Sequence, residues 1–454
     1  MPPHASLLDC AREPLFLSTL WAALGFAVRR LRPAAPPAED LSISDWLYRL
    51  SGSRALGENL ASAMVHGIYG GDIDKLSARS VLDRAYWAYY LAPSAGGNKN
   101  NNNNVRQMPA RELALMRELS QDELIRSLAL RARGALLHFD RDGMESLPRA
   151  LEHALRSTPN VDIVTGRPVD ELRYDAATDK VEVCAGQKTK ENNQGQGQGQ
   201  GSSPSSYDRV IATITSEALA RITADKLPSL ADTRSVSVMT VNMWYPRQGL
   251  KPRGFGYLIP RSVPREQNPE RALGVFFDSD IGARTSVDEP HGTKLFVLMG
   301  GHYYESGASP PPPSEAVAVE QAKSLLERHL GIPASTPCFA LARLARDCIP
   351  QHHVGHHDRM VQADQELRDA FAGRLAVAGG SYTKIGAMAA LRAGYDIAKQ
   401  TVSGSSSSNG GGGGGSEGDD GWRTTGLEQF EFAGDIVDVP VREITVRRPS
   451  RRRR

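Results

Sequence analysis

The glycine turn within residues 375–398 has the residue types and spacing best suited to binding chemistry in this chain. Residues 375–378 form an apolar run with the length of one buried strand, and Gly379 and Gly380 end it. An Ala-rich segment with helical spacing begins near Ile385. A strand that turns on small residues into a helix directs backbone N–H groups and the positive end of the helix dipole towards the space above the turn. This pattern suits the electron-rich edge and the phosphates of a bound cofactor.

The complementary part of a dinucleotide site is an early strand followed by G-x-G-x-x-G, and the sequence does not contain it. The sequence therefore predicts most of a flavoenzyme without its opening segment. No Walker loop, H-E-x-x-H, nucleophile elbow or kinase signature is present, so hydrolysis and phosphoryl transfer have no support.

Two further glycine-containing segments could approach a flat ligand. In residues 66–78 (HGIYGGDIDKLSA), Gly71 could bring a backbone carbonyl close to a ring, although the spacing alone favours a helix–turn–helix joint. In residues 254–260 (GFGYLIP), the glycines would let a broad ring approach the strand that carries Phe255 and Tyr257. The pattern alone favours core packing there as well.

Residues 348–357 (CIPQHHVGHH) contain four of the 11 histidines. Histidines at i and i+4 could ligate a metal ion. However, Pro350 and Gly355 make a regular helix doubtful, and no Cys or Glu pattern supports a metal site. We therefore expect solvated or ring-stacking histidines. The four are His352, His353, His356 and His357.

The composition is that of a soluble globular protein with 454 residues, enough for two or three domains. Hydrophobic residues make up 40% and charged residues 23%, and the net charge of +2 implies no overall field for nucleic acid or a membrane. The four cysteines include no C-x-x-C, which argues against a disulfide framework or a cysteine zinc site and favours a reducing compartment. The basic end VRRPSRRRR could touch nucleic acid or anionic lipid, but a solvated tail is the simpler interpretation.

The longest apolar run, residues 15–28, is short for a membrane span, which needs roughly 20 residues. Its arginines follow the run, whereas a secretory signal carries its charge in front. A buried helix is the favoured interpretation. The second is a helix that lies in a membrane interface, anchored by Trp21 and the arginines that follow.

Three low-complexity segments, residues 98–104, 192–206 and 403–420, cannot bury apolar surface and are expected to be disordered loops. Apolar spacing predicts mainly helices over residues 42–132 and further helices at 144–156 and 314–330. The order of elements predicts a two-domain α+β layout, with one sheet for a cofactor and another for a substrate. The predicted strands are 161–172, 180–184 and 207–214, then 236–245, 256–260, 271–278 and 294–300.

Taken in order, several segments resemble motifs of the protoporphyrinogen oxidases of the fungal mitochondrial type, within the FAD-dependent amine-oxidase-like superfamily. HGIYGGDIDKLSA resembles H-G-[IV]-[YF]-A-G-D-x-x-x-L-S, and CIPQHHVGHH resembles [CA]-I-P-Q-[YH]-x-[VL]-G-H. LAVAGGSYTKIGAMAAL resembles L-x-[LV]-A-G-[AG]-S-Y-x-G-[VI]-[GA]-V-N-D-C-I. GMESLPRAL, GFGYLIP and FVLMGGHYY resemble further motifs of this family. The resemblance covers, with gaps, about residues 15 to 400.

The resemblance implies an α+β fold: an α/β FAD-binding domain remnant of the glutathione-reductase-like fold, a mixed-sheet substrate domain and a helical membrane-associated domain. It implies the oxygen-dependent six-electron oxidation of protoporphyrinogen IX to protoporphyrin IX through FAD, in heme biosynthesis. A peripheral position on the mitochondrial inner membrane is implied as well. A homodimer stays open, and nucleic acid is not an expected partner. The predicted domains are 1–135 (helical, membrane-associated), 136–225 and 356–402 (FAD-binding), 226–355 (substrate sheet) and 403–454 (disordered linker and basic tail).

Matching positions carry the family's binding residues onto this chain by resemblance. The substrate pocket corresponds to Phe255, Leu258 and Leu298. Gly71 corresponds to a glycine that faces a pyrrole ring, and Val169 to a valine that flanks the adenine of FAD. The resemblance implies no catalytic side chain and no metal ligand. The positions at the flavin turn correspond to Gly379, Gly380, Ser381, Ile385, Gly386 and Ala387.

Two departures from the family pattern bear on these expectations. Lys384 stands where the family has a glycine, so a long cationic side chain would either support an anionic reduced flavin or block its binding. The N-terminal strand with G-x-G-x-x-G is absent from the sequence. Two alternatives therefore stay open. One is a truncated, catalytically inactive remnant, and the other is a different FAD-dependent oxidoreductase of this fold that acts on a carotenoid or an amine.

Overall fold

The computed structural model describes residues 14–29, 35–90, 105–131, 143–186, 204–281, 290–305, 311–407, 423–431 and 436–440. Within these ranges the chain is a mixed helix and sheet protein. Its larger hydrophobic clusters lie among the N-terminal helices, beneath a five-stranded sheet, and around a pair of parallel strands.

The N-terminal helices pack around Trp46 and Tyr86, whose ring centroids lie 5.8 Å apart. Ser42 caps one of these helices by accepting the backbone N–H of Asp45 at 3.0 Å. The predicted helical character of this region is confirmed, except for strand β1 (Val105–Pro109). The helices are α1 (Pro14–Arg29), α2 (Ile43–Ser51), α3 (Ser62–Tyr69), α4 (Ala78–Val81), α5 (Asp83–Tyr90), α6 (Ala110–Leu119) and α7 (Glu123–Arg131), with a π-helical turn (Leu56–Ala61) that leads into α3.

Helix α1 buries only one of its sides. Ala22 is 8% exposed and packs in the core of the N-terminal helices. The favoured expectation of a buried helix is therefore wrong, because other apolar side chains of α1 face away from the protein. None of the helices in the described ranges is long and apolar enough to cross a membrane. The side chains of α1 that are about half exposed are Leu20, Trp21, Leu24 and Val28.

The five-stranded sheet is antiparallel throughout and confirms the predicted second group of strands. One face packs against helix α12 (Glu315–Leu330), which buries Ala318, Ala322 and Leu325 against the sheet. The opposite face is more open. In sheet order the strands are β10 (Phe339–Pro350), β6 (Ser235–Tyr245), β9 (Thr293–Gly300), β8 (Ala272–Phe276) and β7 (Gly256–Leu258).

The third part surrounds two short parallel strands, β5 (Val210–Ala212) and β11 (Leu375–Val377). Helix α13 (His356–Phe371) covers them, and helix α14 (Ala387–Ser407) follows β11 after a turn. A separate antiparallel sheet contains β2 (Val169–Asp175), β3 (Lys180–Ala185) and β4 (Ser205–Tyr207). The remaining α-helices in the described ranges are α8 (Ser146–Arg156), α9 (Ser216–Ile222), α10 (Pro228–Ala231) and α11 (Asp278–Ile281).

Two of the low-complexity segments have regular structure at their ends. Ser205 and Ser206 pair with β3, and residues 403–407 form the last part of α14. These ends differ from the expected disordered loops because the backbone there pairs with a neighbouring strand or continues a helix. Most of the three segments lies outside the described residues, as does the basic end.

Residues 423–431, which the sequence assigned to a linker and tail, pack beside β11. The N–H of Val377 donates to the carbonyl oxygen of Thr425 at 2.8 Å, and Leu427 is fully buried. Gly426 permits this approach, because a Cβ there would lie 2.2 Å from the carbonyl oxygen of Val377. Strand β12 (Ile436–Pro440) then pairs antiparallel with β1.

Candidate functional site

The turn after β11 has the predicted strand–turn–helix geometry. Gly379 and Gly386 have φ angles of 119° and 116°, which L side chains rarely adopt. Tyr382 anchors the turn, because its N–H donates to Gly379 O at 3.2 Å and its hydroxyl donates to Ile214 O at 2.8 Å. Helix α14 begins at Ala387, so the N–H groups of its first turn have no acceptor within the helix.

Two buried histidines support this turn. Nε2 of His352 donates to the carbonyl oxygen of Gly380 at 2.9 Å, and Nε2 of His356 donates to that of Tyr382 at 3.2 Å. Burial lowers the pKa of His352 to about 4 and lowers the pKa of His356 well below its ordinary value. Both rings are therefore neutral near pH 7. The rings stack on each other, which confirms the expectation of ring-stacking histidines for this pair.

No metal site is found in the described part of the chain. No group of three or more His, Cys, Asp or Glu side chains there is arranged to hold a metal ion. The neighbouring His357 instead accepts from the guanidinium of Arg79, at 3.0 Å from its Nδ1.

A cavity of about 460 Å³, here called the turn cavity, opens in front of the turn. Ile385, Gly386 and Ala387 line it, and Tyr69 and His352 line other parts of its wall. No atom lies within 4 Å of the position that a Cβ of Gly386 would occupy. The backbone at Gly386 is therefore open to a flat ligand, and the cavity is lined by three of the six positions that the resemblance places at the flavin turn.

A second cavity of about 590 Å³, here called the helix cavity, is lined by residues of α5, α6, α14 and the segment 426–430. Lys384 and Asp83 line both cavities and form an ion pair with each other. The ammonium group of Lys384 is thus held against helix α5. It does not cover the backbone of Gly386, which stays open.

The three predicted substrate-pocket residues lie on or beside the open face of the five-stranded sheet. In the register of β7, β8 and β9, Leu258 lies opposite Gly274 and Gly274 lies opposite Leu298, so both leucines share one face. The ring of Phe255 lies edge-on to that of Phe276, with centroids 5.6 Å apart. Phe255 is 66% exposed and Leu298 is 9% exposed. The face is therefore apolar from a buried centre to an exposed rim.

Helix α3 connects this face to the turn cavity. A Cβ at Gly67 would lie 2.6 Å from a methyl carbon of Leu258, so the helix touches the sheet face there. Tyr69, only two residues later, lines the turn cavity. The N–H of His302, which follows β9, donates to Gly70 O at 2.7 Å and fixes the end of the helix. The two predicted binding regions are therefore neighbours.

Gly71 follows this helix end and is buried. A Cβ there would lie 2.3 Å from Oε1 of Gln351 and 2.7 Å from a methyl carbon of Leu76. The protein itself therefore requires a glycine at this position. That the carbonyl of Gly71 also faces a ligand stays a prediction.

A pair of histidines, the buried His66 and the partly buried His302, fixes α3 to the sheet. Nδ1 of His66 donates to the carbonyl oxygen of Ile259 at 2.6 Å, and its Nε2 accepts from Nε2 of His302 at 3.0 Å. Burial lowers the pKa of His66, and burial together with the neighbouring His66 lowers that of His302 to about 4. Leu258, one residue before Ile259, is held in place by the same contact.

The other predicted cofactor residues occupy different positions. Gly379, Gly380 and Ser381 form the base of the turn behind the cavity-lining residues, and Ser381 is buried. Val169 begins β2 on the separate three-stranded sheet and is 39% exposed. Its contact with a cofactor stays a prediction.

Sequence reasoning missed several residues of the site. Tyr69 and His352 lie within the quoted motifs, but no spacing rule marks them as cavity residues. Asp83 stands 301 residues before its partner Lys384, so only the fold brings the two together.

Comparison with known proteins gives relatives but no matching family model. A protoporphyrinogen oxidase of Schizosaccharomyces pombe is 26% identical over 391 residues, which cover 84% of this chain and 72% of that protein. A protoporphyrinogen oxidase of Saccharomyces cerevisiae is 25% identical over 414 residues, covering 82% and 72%. One from Homo sapiens is 26% identical over 340 residues, covering 72% and 63%. The resemblance to protoporphyrinogen oxidases, first seen in the motifs, is thereby confirmed.

Two solved structures share the fold. The crystal structure of a "putative protoporphyrinogen oxidase" from Exiguobacterium sp. 255-15 superposes with a TM-score of 0.51 at 19% identity, covering 80% of this chain and 68% of that one. A reduced UDP-galactopyranose mutase superposes with a TM-score of 0.53 at 14% identity, covering 94% and 77%. At these identities the superpositions concern the fold alone.

Proposed function

We propose that this chain is an FAD-dependent protoporphyrinogen oxidase, which oxidises protoporphyrinogen IX to protoporphyrin IX with dioxygen as the final electron acceptor. One observation carries the proposal: helix α3 touches the apolar sheet face at Gly67 and lines the turn cavity at Tyr69. A flat cofactor and a flat substrate could therefore lie side by side. The relatives named as protoporphyrinogen oxidases support the choice of substrate.

The residues of the turn fit a flavin ring. Gly386 leaves open the space that any side chain would fill, and Ala387 adds only a methyl group. The first residues of α14 line the same cavity, and the N–H groups at a helix start suit an electron-rich ring edge. Ile385 offers an apolar contact. When bound there, the flavin supplies the redox chemistry of the reaction.

The sheet face would hold the tetrapyrrole. Leu258 and Leu298 offer aliphatic surface to a macrocycle, and Phe255 offers an aromatic ring at the rim. The His66–His302 pair keeps Leu258 in position through Ile259. The protein's part in the reaction is then to orient an apolar disc and to exclude water, rather than to supply a general acid or base.

The same proposal includes a peripheral position on a membrane, and specifically on the mitochondrial inner membrane. Helix α1 exposes an apolar side that contains Trp21 and Leu24. The π-helical turn and α3 expose Leu60, Met64 and Ile68 at a spacing of four residues. Helices with an exposed apolar side lie well in a membrane interface. Flotation with liposomes tests this point, and a Trp21→Ser/Leu24→Ser variant that floats as well as the wild type would contradict it.

The function is tested with the purified chain, FAD and protoporphyrinogen IX. We expect flavin absorbance that stays with the protein through gel filtration, and porphyrin fluorescence that depends on both protein and FAD. Oxygen consumption should accompany it. A protein that takes up no FAD, or that gives no porphyrin above the rate without protein, overturns the proposal. Flavin binding with turnover of an amine or a carotenoid only would assign a different substrate.

A further inference from the structure

Lys384 and Arg79 are cationic side chains of the helix cavity, and Lys384 lines the turn cavity as well. Lys384 lines both cavities, and its only carboxylate partner in the described contacts is Asp83, which lines both cavities too. The side chain of Lys384 is 59% exposed and that of Asp83 is 28% exposed. Exposed ion pairs of this kind contribute little to stability. Lys384 can therefore exchange Asp83 for another anion at low cost.

Arg79 is the second cation, and its charge is poorly neutralised. It lines the helix cavity beside Lys384 and Asp83. Its closest carboxylate in the described structure is that of Asp358, at 3.8 Å and on a side chain that is 63% exposed. Imidazole and indole groups hold the guanidinium instead, since it donates to His357 at 3.0 Å and lies 5.8 Å from the ring centroid of Trp87. Its Nε is buried without a hydrogen-bond partner among the described residues.

The other cations of the helix cavity differ in this respect. Arg392 pairs with Asp396 at 2.8 Å and with Glu112 at 3.2 Å. Lys399 pairs with Glu118, which also accepts from a tyrosine hydroxyl. The charges of these cations are therefore neutralised by carboxylates that line the same cavity. Among the cations that line the helix cavity in the described structure, Arg79 has its nearest carboxylate oxygen at 3.8 Å, whereas the others, Arg111 included, each form a closer ion pair. Lys384 differs from Arg111, Arg392 and Lys399 because it alone of these cations also lines the turn cavity.

We propose that Arg79 and Lys384 form an anion subsite for the diphosphate of a dinucleotide cofactor, with Asp83 as a built-in competitor for Lys384. The inference rests on the proposed function, because that function requires FAD. Arginine suits phosphate through its paired N–H groups, and lysine serves as a point charge. Lys384 lines both cavities, so the subsite lies where their linings meet, which suits an elongated ligand with its charge near the middle. Lys384, which departs from the motif glycine, thereby has a role of its own.

The experiment compares FAD with riboflavin, which has the same ring and no phosphate, by quenching of flavin fluorescence. Lys384→Met and Arg79→Gln should each lower the affinity for FAD by about tenfold, which is the loss expected for one charge-assisted hydrogen bond. Riboflavin should bind all proteins equally within about twofold. Asp83→Asn should raise the affinity for FAD several-fold, because it removes the carboxylate that competes for Lys384. Lys399→Met and Glu118→Gln, which change an ion pair in the same cavity, are the matched controls and should leave both flavins unaffected.

Each outcome bears on the proposal. Unchanged FAD affinity in Lys384→Met and Arg79→Gln overturns the subsite and leaves the proposed function standing. Weaker FAD binding in Asp83→Asn overturns the subsite too, because the ion pair would then only hold the turn against α5. Calorimetric titration with inorganic diphosphate distinguishes the remaining outcomes. Diphosphate binding that needs Lys384, in a protein that takes up no FAD, supports the subsite and overturns the function. Absence of binding for both ligands overturns both.

Discussion

The imidazole rings of His352 and His356 lie parallel, with centroids 3.8 Å apart and planes inclined by 7°. Each ring donates from Nε2 to a carbonyl of the turn that faces the turn cavity. Burial lowers the pKa of both rings, so both are neutral in the folded protein near pH 7. A proton added to either ring would place a charge in an apolar interior against its neighbour. The stability of the turn is therefore linked to pH.

We expect the free energy of unfolding to fall as the pH is lowered below about 6.5. The unfolded chain protonates its histidines near that pH, whereas folded His352 takes up its proton only near its pKa of about 4. The stabilisation is fully present above about pH 6.5 and is lost towards pH 4, by roughly 3 kcal/mol for His352. Urea unfolding at several pH values between about 7.5 and 5 measures this change.

His352→Gln is the informative variant for this effect, because glutamine keeps a donor for the Gly380 carbonyl and does not titrate. It should flatten the dependence of the unfolding free energy on pH. His153 lies exposed on α8, and His153→Gln should leave the dependence as it is in the wild type. A slope that His352→Gln does not change would show that protonation of this ring is not linked to folding.

The strand and turn around residues 375–386 could be predicted because local rules specify them. An apolar run, two glycines and an Ala-rich segment give strand, turn and helix in that order, and the structure places the helix start at Ala387. The histidine segment was harder to interpret. Pro350 and Gly355 prevent a helix before residue 356, but α13 begins at His356 itself. The sequence therefore indicated that no helix forms before residue 356, but it did not indicate the helix that follows.

Strand β10 was missed because its sequence, FALARLARDCIP, has alanines and arginines where a half-buried strand usually has large apolar residues. Only one of its twelve positions, Ala342, is buried, and pairing with β6 holds the strand at the sheet edge. Contacts between distant segments were also beyond the sequence. The pairs Lys384–Asp83 and His66–His302 span 301 and 236 residues, and no local pattern encodes them.

Phe255→Ala should weaken substrate binding without weakening the fold. The side chain is 66% exposed, so its removal should change the unfolding free energy by about 0.5 kcal/mol or less. If the ring covers one edge of the tetrapyrrole, KM should rise by about three- to tenfold with a smaller change in kcat. Phe339→Ala, at another exposed aromatic residue on the far edge of the sheet, should leave KM unchanged. Equal effects of the two variants in porphyrin fluorescence assays would argue against a local contact.

Ala387→Leu should block the flavin ring. Ala387 lines the turn cavity and is exposed, so a larger side chain can be accommodated without strain in the core. We expect FAD and riboflavin to bind at least about tenfold more weakly, because both carry the ring that the new side chain would displace. Ala390→Leu, one helical turn further along the exposed surface of α14, is the control. Tight binding of both flavins to Ala387→Leu would place the ring elsewhere.

Arg261→Met should destabilise the joint between α3 and the sheet. The guanidinium donates to both carboxylate oxygens of Glu58 at 2.7 and 2.8 Å, and to Asp74 at 2.7 Å. Its loss would leave half-buried carboxylates close together without a counter-charge, at a cost of about 2 kcal/mol. Thermal unfolding measures the loss, and Arg265→Met at an exposed arginine should have little effect. A similar stability for the two variants would mean that solvent already screens the cluster around Arg261.

Leu427→Ala should destabilise the whole protein, although Leu427 follows a long low-complexity segment. Its side chain is fully buried in the cluster that contains Phe371 and Leu375, and the neighbouring Thr425 accepts the N–H of β11 at Val377. Removing a buried leucine costs about 3 kcal/mol through lost burial and the cavity left behind. Leu128→Ala is the matched control, because Leu128 is 56% exposed on α7 and should change stability by about 0.5 kcal/mol or less. Since β11 ends at the turn that faces the turn cavity, Leu427→Ala should also weaken riboflavin binding. A Leu427→Ala variant that keeps both the stability and the riboflavin affinity of the wild type would mean that this segment is not part of the folded core.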